Sequence, residues 1–403
     1  MSYFQLPPEA LRVGTATPFA LRDSMGKLLV PRGLLIADEA HLGQLLARDL
    51  YVDEQDGESL KRAMGAKLDS MVRQNALIGR IAEARPDKPT ADDHTATESR
   101  RIGDPIEAWS RLQMRLSALL RDPTQADFTP RLLREQGQLR ALLDGAPDTA
   151  LLLLVHGATN EMRDYSVNHA MLVTVVCELA ARHIPAFTTE SCTSLRCAAL
   201  TMNVSMTQLQ NQLALQDCAP SEHQRAEVES HAVRGAAALR DAGVQDELWL
   251  QAVEQHHSMP AGPLLALPAA GQLARLIQRA DIFAARLSPR KRRPALSATA
   301  AAKAAFLDEN QKPDEAGSAI IKATGIYPPG SLVRLASGEA ALVLQRGTRA
   351  NEPRVVAITN CTGAPLGEPS GRNTRLPSHA VTGGIAPHEI KVVLNLAKIV
   401  RMA

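Results

Sequence analysis

Apolar residues recur three and four positions apart through most of the middle of the chain. QDELWLQAVEQHH (245–257), AAGQLARLIQRADIFAARL (269–287) and ATAAAKAAFLDEN (298–310) each show this spacing, which predicts amphipathic helices that bury one stripe. Ser221 followed by Gln224 is a capping-box pattern, and Gly243 stands where that helix should stop. AALTMNVSM (198–206) reads as the middle of a buried helix, although Asn203 at its centre is a poor residue for an apolar helix interior. After Gly325 the period changes to alternation, in YPPGSLVRLASGEAALVLQRG (327–347) around a Ser-Gly turn and then in PRVVAITN (353–360). These are strand signals.

The first residues mix both patterns. KLLVPRGLLI (27–36) has two β-type runs about a Pro-Arg-Gly turn, DEAHLGQLLARDL (38–50) has helical spacing, and LYVDE (50–54) reads as a short strand. A charged helical stretch follows over 60–83, and 84–105 is rich in Pro, Asp and Thr and poor in apolar residues, the composition of a flexible linker. The expected architecture is mainly α. An N-terminal α/β module with a helix occupies 1–83, a linker 84–105, a helical domain 106–325 and a small β-rich C-terminal module 326–403. No internal repeat is visible.

Composition narrows the classes. A chain of 403 residues can hold two or three domains. Only 3% of it is aromatic, so Ala, Leu and Val must fill the core, which favours closely packed helices. A net charge of +2 excludes a strongly basic nucleic-acid binder. The five cysteines (177, 192, 197, 218 and 361) show no paired spacing and read as reduced thiols in a cytoplasm. The N-terminus lacks the pattern of a signal peptide, and the longest aliphatic run, ALLLLV at 150–155, falls far short of the roughly 20 residues a membrane span needs. The expected location is therefore cytoplasmic.

The candidate chemistry is histidine chemistry. His169 in DYSVNHAMLV, His231 in EVESHAVRG, the pair His256 and His257, and Asp281 in RADIFAAR all fall on predicted helices. Imidazoles and a carboxylate spread over successive helices can converge on a metal in a bundle. Each one taken alone is more often an ordinary core or surface residue, and the order of all five is what gives them weight. A second feature is ARLSPRKRRPAL (285–296), with Arg286, Arg290, Lys291, Arg292 and Arg293 in eight positions. Basic residues there suit the negative end of a helix.

In sequence order these positions resemble the HD-GYP family, the class II cyclic-di-GMP phosphodiesterases within the HD superfamily of metal phosphohydrolases. The resemblance spans about 161–336 and implies an HD-type helical bundle. His169 matches the first-helix histidine, His231 the histidine after the motif helix with Gly235 in its usual place, His256 and His257 the paired histidines, and Asp281 the late metal-ligating aspartate. Where family members have a pattern like AALLHDIGK, this chain reads AALTMNVSM. Met202 stands for the histidine, Asn203 for the aspartate and Met206 for the lysine. Tyr165 corresponds to the family's carboxylate one turn before the first histidine. The loop that gives the family its Gly-Tyr-Pro name is SMPAGPLLALP here, shortened and altered.

The resemblance therefore implies a degenerate member. A two-metal phosphodiesterase needs its motif aspartate to bridge cations roughly 3.5–4 Å apart. An Asn amide oxygen is neutral and its nitrogen a donor, so a binuclear centre is not expected. One divalent ion (Fe, Mn or Zn) on His231, the His256/His257 pair and Asp281 is left open, as is a remnant that binds none. Arg290 and Arg293 match the family's phosphate-holding positions. The expectation is a cyclic-di-GMP receptor or protein-interaction module, with a signalling partner such as a GGDEF-domain protein. The alternatives are a phosphodiesterase with a rebuilt metal site, and a scaffold that binds no nucleotide.

Overall fold

The computed structural model describes residues 104–403 apart from 259 and 261, and of the first 53 residues it describes 3–6, 11, 13, 14, 17, 19–23, 27–36, 38–47 and 49–53. The predicted helix over 60–83 lies outside the described residues, as does the predicted linker but for its last two positions. Contacts divide the chain into two units, Met1–Arg111 and Leu112–Ala403.

In the first unit, strands β1 (Tyr3–Gln5), β2 (Leu21–Arg22), β3 (Leu28–Val30) and β4 (Tyr51–Asp53) form an antiparallel sheet in the order β1-β4-β2-β3, and helix α1 (Glu39–Leu46) precedes β4. The two runs of KLLVPRGLLI are not a strand pair. Leu28–Val30 enters the sheet, whereas Gly33 turns the chain at φ +85° and hands Leu34 to Thr17 Oγ1.

Helices α2 (Pro105–Leu120), α3 (Phe128–Gly145), α4 (Pro147–Asn160), α5 (Tyr165–Ala181), α6 (Thr189–Thr201), α7 (Thr207–Leu215), α8 (Glu222–Asp241), α9 (Glu247–Gln255), α10 (Ala269–Leu287), α11 (Ala298–Phe306) and α12 (Glu315–Thr324) follow in order. Almost every residue of helix α5 is buried, on all of its sides, as in a core helix. It packs against α4, α6, α7, α10 and α12. The caps are those the sequence signals. Ser221 accepts from Gln224 N while the Gln224 side chain reaches back to the Ser221 N–H, and Gly243 ends the helix region at φ +82°. The buried charge on these helices is matched, with Arg196 bonded to Glu178 Oε2 and Gln136 Oε1, both at 2.7 Å.

AALTMNVSM is not one buried helix. Helix α6 stops at Thr201, Asn203 leaves helical geometry at φ −109°, ψ 17°, and Val204–Met206 form a 3₁₀ turn before α7 starts. A short amide side chain competes with the helix for backbone groups, and the chain breaks where that residue stands.

Beyond α12, β5 (Leu332–Leu335), β6 (Ala340–Gln345), β7 (Arg354–Thr359), β8 (Pro365–Arg372) and β9 (Val381–Ile385) form an antiparallel sheet in the order β8-β7-β6-β5-β9, followed by α13 (Leu396–Met402). Leu342, Leu344, Val356, Ile358 and Ile399 share a buried cluster with Leu152 of α4. Gly330 (φ +88°) makes this approach feasible, since a Cβ there would stand 2.5 Å from Leu152 O. Among the described residues no helix is long and apolar enough to cross a membrane.

Candidate metal centre

Four helices carry the candidate residues. His169 lies on α5, His231 on α8, and Asp281 on α10, while His256 caps the C-terminal end of α9 and His257 follows it. Helices α8 and α9 pack together, as do α9 and α10, and α5 and α10, so the chain brings all five groups to one region of the bundle. It sorts them into two sets.

The first set is a pair. His169 Nε2 lies 2.6 Å from Asp281 Oδ1. The His169 ring is buried, and its Nδ1 has no partner. Burial pushes the Asp281 carboxyl up, but the hydrogen bond to His169 and the imidazole charges around it prevail and hold it well below the usual carboxylate range. Asp281 is thus an anion that accepts the Nε2 proton of His169.

The second set is a group of three imidazoles. His231, His256 and His257 bring ring nitrogens within 4.8 Å of one another. His231 and His256 are buried and His257 is exposed. The His256 ring centroid is 4.1 Å from that of His257 and 5.2 Å from that of His231. Burial, helped by the charge of His257, pulls His256 down to about 3, and burial lowers His231 too. Both are neutral at pH 7, the state in which imidazole is a metal ligand.

The Tyr165 ring stacks on His169 at 5.6 Å with 13° between planes. Asn203 Oδ1 is buried without a hydrogen-bond partner. Met202 is fully buried, Met206 partly so. Ser205, in the same turn, donates to the His231 backbone carbonyl at 2.8 Å and fixes the turn to α8. Nothing in the sequence marked Ser205, because its partner is a main-chain oxygen.

Arg290 and Arg293 sit in a tight turn, each backbone N–H bonded to the other's carbonyl at 2.8 Å. Their guanidiniums then diverge. The Arg290 group lies over the Tyr165 ring, 5.2 Å from its centroid, with Nη2 3.3 Å from the phenol oxygen. It therefore borders the His169–Asp281 pair and is half-buried. Arg293 turns back to the end of α10, where Nη2 donates to the Ala285 and Ser288 carbonyls. Arg292 and Lys291 are exposed. In the altered loop, Leu264–Ala266 form a 3₁₀ turn, and Leu264 N is held by Glu315 Oε2 at 2.7 Å.

A binuclear centre does not fit these residues. Asp281 is the one carboxylate among the matched positions, and it is bonded to an imidazole. The amide at 203 and the phenol at 165 supply no anionic bridge. Among the described residues, the group with donor atoms close enough for an ion is His231, His256 and His257.

No protein-family model matches this sequence, and no curated protein matches it. Among solved structures, an HDG"Y"P protein from Bdellovibrio bacteriovorus, Bd1817, is similar over 80% of this chain and 99% of that chain, with 14% sequence identity and a TM-score of 0.43.

Proposed function

We propose that this chain is a cyclic-di-GMP signalling protein whose helical domain is a degenerate HD-GYP domain, acting as a nucleotide receptor or protein-interaction module. One observation carries the reading: Asp281 Oδ1 is engaged by His169 at 2.6 Å, while Asn203 and Tyr165 occupy the two positions where the sequence resemblance places further carboxylates. In-line hydrolysis of a phosphodiester by two cations requires bridging anions that activate a bound hydroxide. This centre offers one anion, already matched to an imidazole proton.

Phosphate recognition needs no metal. A guanidinium presents paired donors to phosphate oxygens, and Arg290 stands half-buried beside Tyr165 with only long contacts of 3.3 and 3.4 Å to the phenol oxygen. It is the better placed of the two arginines, because Arg293 is bonded to the end of α10. A GGDEF-domain protein is the partner class that the resemblance suggests, and the altered 258–268 loop is the surface it would concern.

The three-histidine group favours a second reading, a metal-dependent phosphohydrolase with a mononuclear centre. One experiment separates the readings: calorimetric titration of the full chain with cyclic-di-GMP, paired with a chromatographic assay for its hydrolysis. Binding without turnover supports the receptor. Turnover that vanishes with His256→Ala overturns it in favour of the enzyme, and the absence of both overturns it in favour of a scaffold.

A further inference from the structure

Between β9 and α13 the chain passes through a 3₁₀ turn, Pro387–Glu389, and then through IKVVLN (390–395). The two ends of this stretch have extended backbone, with φ −124°, ψ 119° at Ile390 and φ −79°, ψ 92° at Asn395. Burial alternates between them. Ile390, Val392 and Leu394 pack against the cluster that holds Leu152, Leu342 and Ile399, while Lys391, Val393 and Asn395 are exposed. That is the side-chain pattern of a strand. It has no neighbour: among the described residues no main-chain hydrogen bond joins 391–394 to another part of the chain, and neither sheet includes the segment.

A strand without a neighbour offers its N–H and C=O groups as a template for another chain. The two edges of the C-terminal sheet are guarded against this. β8 contains Pro365, Pro369 and two glycines and shifts register against β7. β9 packs against α11, where a Cβ at Gly384 would stand 2.8 Å from Thr299 Oγ1. IKVVLN has no guard but one lysine. It is rich in β-branched residues, nearly uncharged and free of Pro and Gly, the composition that pairs readily with a copy of itself. One exposed valine on a surface is ordinary. Val393, however, is 76% exposed, the most exposed large apolar side chain among the described residues, and it lies on this unpaired backbone.

We infer that residues 391–395 pair antiparallel with the same segment of a second copy of this chain, about a two-fold axis that passes between the two Val393 residues. Register and charge select this pairing. An axis falling between residues would set inward side chains opposite outward ones, so it must pass through a residue. At Lys391 it would oppose two like charges, which is destabilising. At Val393 it covers the exposed valine with its own copy, a β-branched pair, and sets each Lys391 across from the neutral Asn395. The contact is isologous, the same patch on both copies. Five residues span only about 17 Å, so the interface is small and the dimer weak and concentration-dependent. The inference rests neither on nucleotide binding nor on the histidines.

Sedimentation velocity of the full chain, under reducing conditions, should show the mass of one chain when dilute and move toward two as concentration rises. Val393→Lys sets like charges across the axis. It should abolish the dimer while circular dichroism and melting temperature stay as they were, since the position is exposed. Cross-linking then reads the register, in a background where the exposed Cys218 and Cys361 are changed to Ser. Val393→Cys should form a disulfide between chains under mild oxidation, because directly opposed residues have Cα atoms within the about 4.4–6.8 Å that a disulfide spans. Lys391→Cys should not, because its two copies lie four residues apart along the paired strands, about 13 Å. A chain that stays monomeric at every concentration, a dimer that survives Val393→Lys, or a cross-link at 391 as complete as that at 393 would each overturn the pairing.

Discussion

His169 and Asp281, 112 residues apart in the chain, meet through a 2.6 Å contact between Nε2 and Oδ1. The contact withdraws the one matched carboxylate from any bridging role. Hydrolysis of cyclic-di-GMP should therefore be absent or very slow with Mn, Fe, Mg or Zn supplied, as measured by chromatography of the nucleotide. Restoring the motif with Tyr165→Glu, Met202→His and Asn203→Asp together should raise metal content above that of the parent. Appreciable turnover by the unmodified chain would contradict the geometry.

Arg290 and Arg293 should separate experimentally. Loss of a charge-assisted contact is worth about 1.5–3 kcal/mol, so Arg290→Ala should weaken cyclic-di-GMP binding about tenfold to a hundredfold with little change in melting temperature. Arg290→Lys should weaken it too, since an ammonium cannot reproduce the planar fork. Arg293→Ala should lower the melting temperature, because it removes donors from the Ala285 and Ser288 carbonyls. Calorimetry and thermal unfolding on the same samples decide this.

Those two arginines also show how far the sequence could be read. A run of basic residues after Asp281 was compatible with a helix end or, by the resemblance, with a phosphate site; in the structure Arg293 goes to the end of α10 and Arg290 to the Tyr165 ring. Which arginine goes where depends on the turn that Arg290 and Arg293 close, a tertiary detail without a pattern of its own. The five candidate positions do converge. Their division into a bonded pair and a group of three imidazoles was not legible, because it rests on distances between helices. Among elements, alternation found β5, β6 and β7. It missed β8 and β9, PLGEPSGR and VTGGI, because edge strands rich in Gly and Pro carry no alternating apolar face. Periodicity carried the helix across Asn203 because Met202 and Val204 are buried on either side of the break.

Acid should loosen the C-terminal sheet through Glu339. Its bonds to Arg372, at 2.6 and 3.0 Å, hold its carboxyl below the usual range. A carboxyl lowered in the folded state stabilises fully above its unfolded value, about 4.3, and that contribution disappears as pH falls through the folded value. Urea unfolding followed from pH 6 to pH 3 should show the loss, and Glu339→Gln should flatten it. An unchanged acid limb in the variant would refute the role.

Gly330→Ala should destabilise the chain by more than about 2 kcal/mol. The new methyl would strike the Leu152 carbonyl, and φ +88° costs an L-residue roughly 1–2 kcal/mol by itself. Gly363→Ala has a similar φ of +86° and open space, so it isolates the backbone part. Denaturant midpoints for the two variants give the clash as their difference.

Helix α10 has a second fixed point. Arg275 and Arg279 are buried on it and bind Glu309 and Asp314, with Arg275 Nη2 2.6 Å from Asp314 Oδ2. Asp281 follows Arg279 by two residues, about 3 Å along the axis at 1.5 Å per residue. A helix cannot slide at one end and stay at the other, so the turn between α11 and α12 sets the height at which Asp281 meets His169. A change at Glu309, remote in sequence from every histidine of the centre, would be felt there as a shift in a single hydrogen bond.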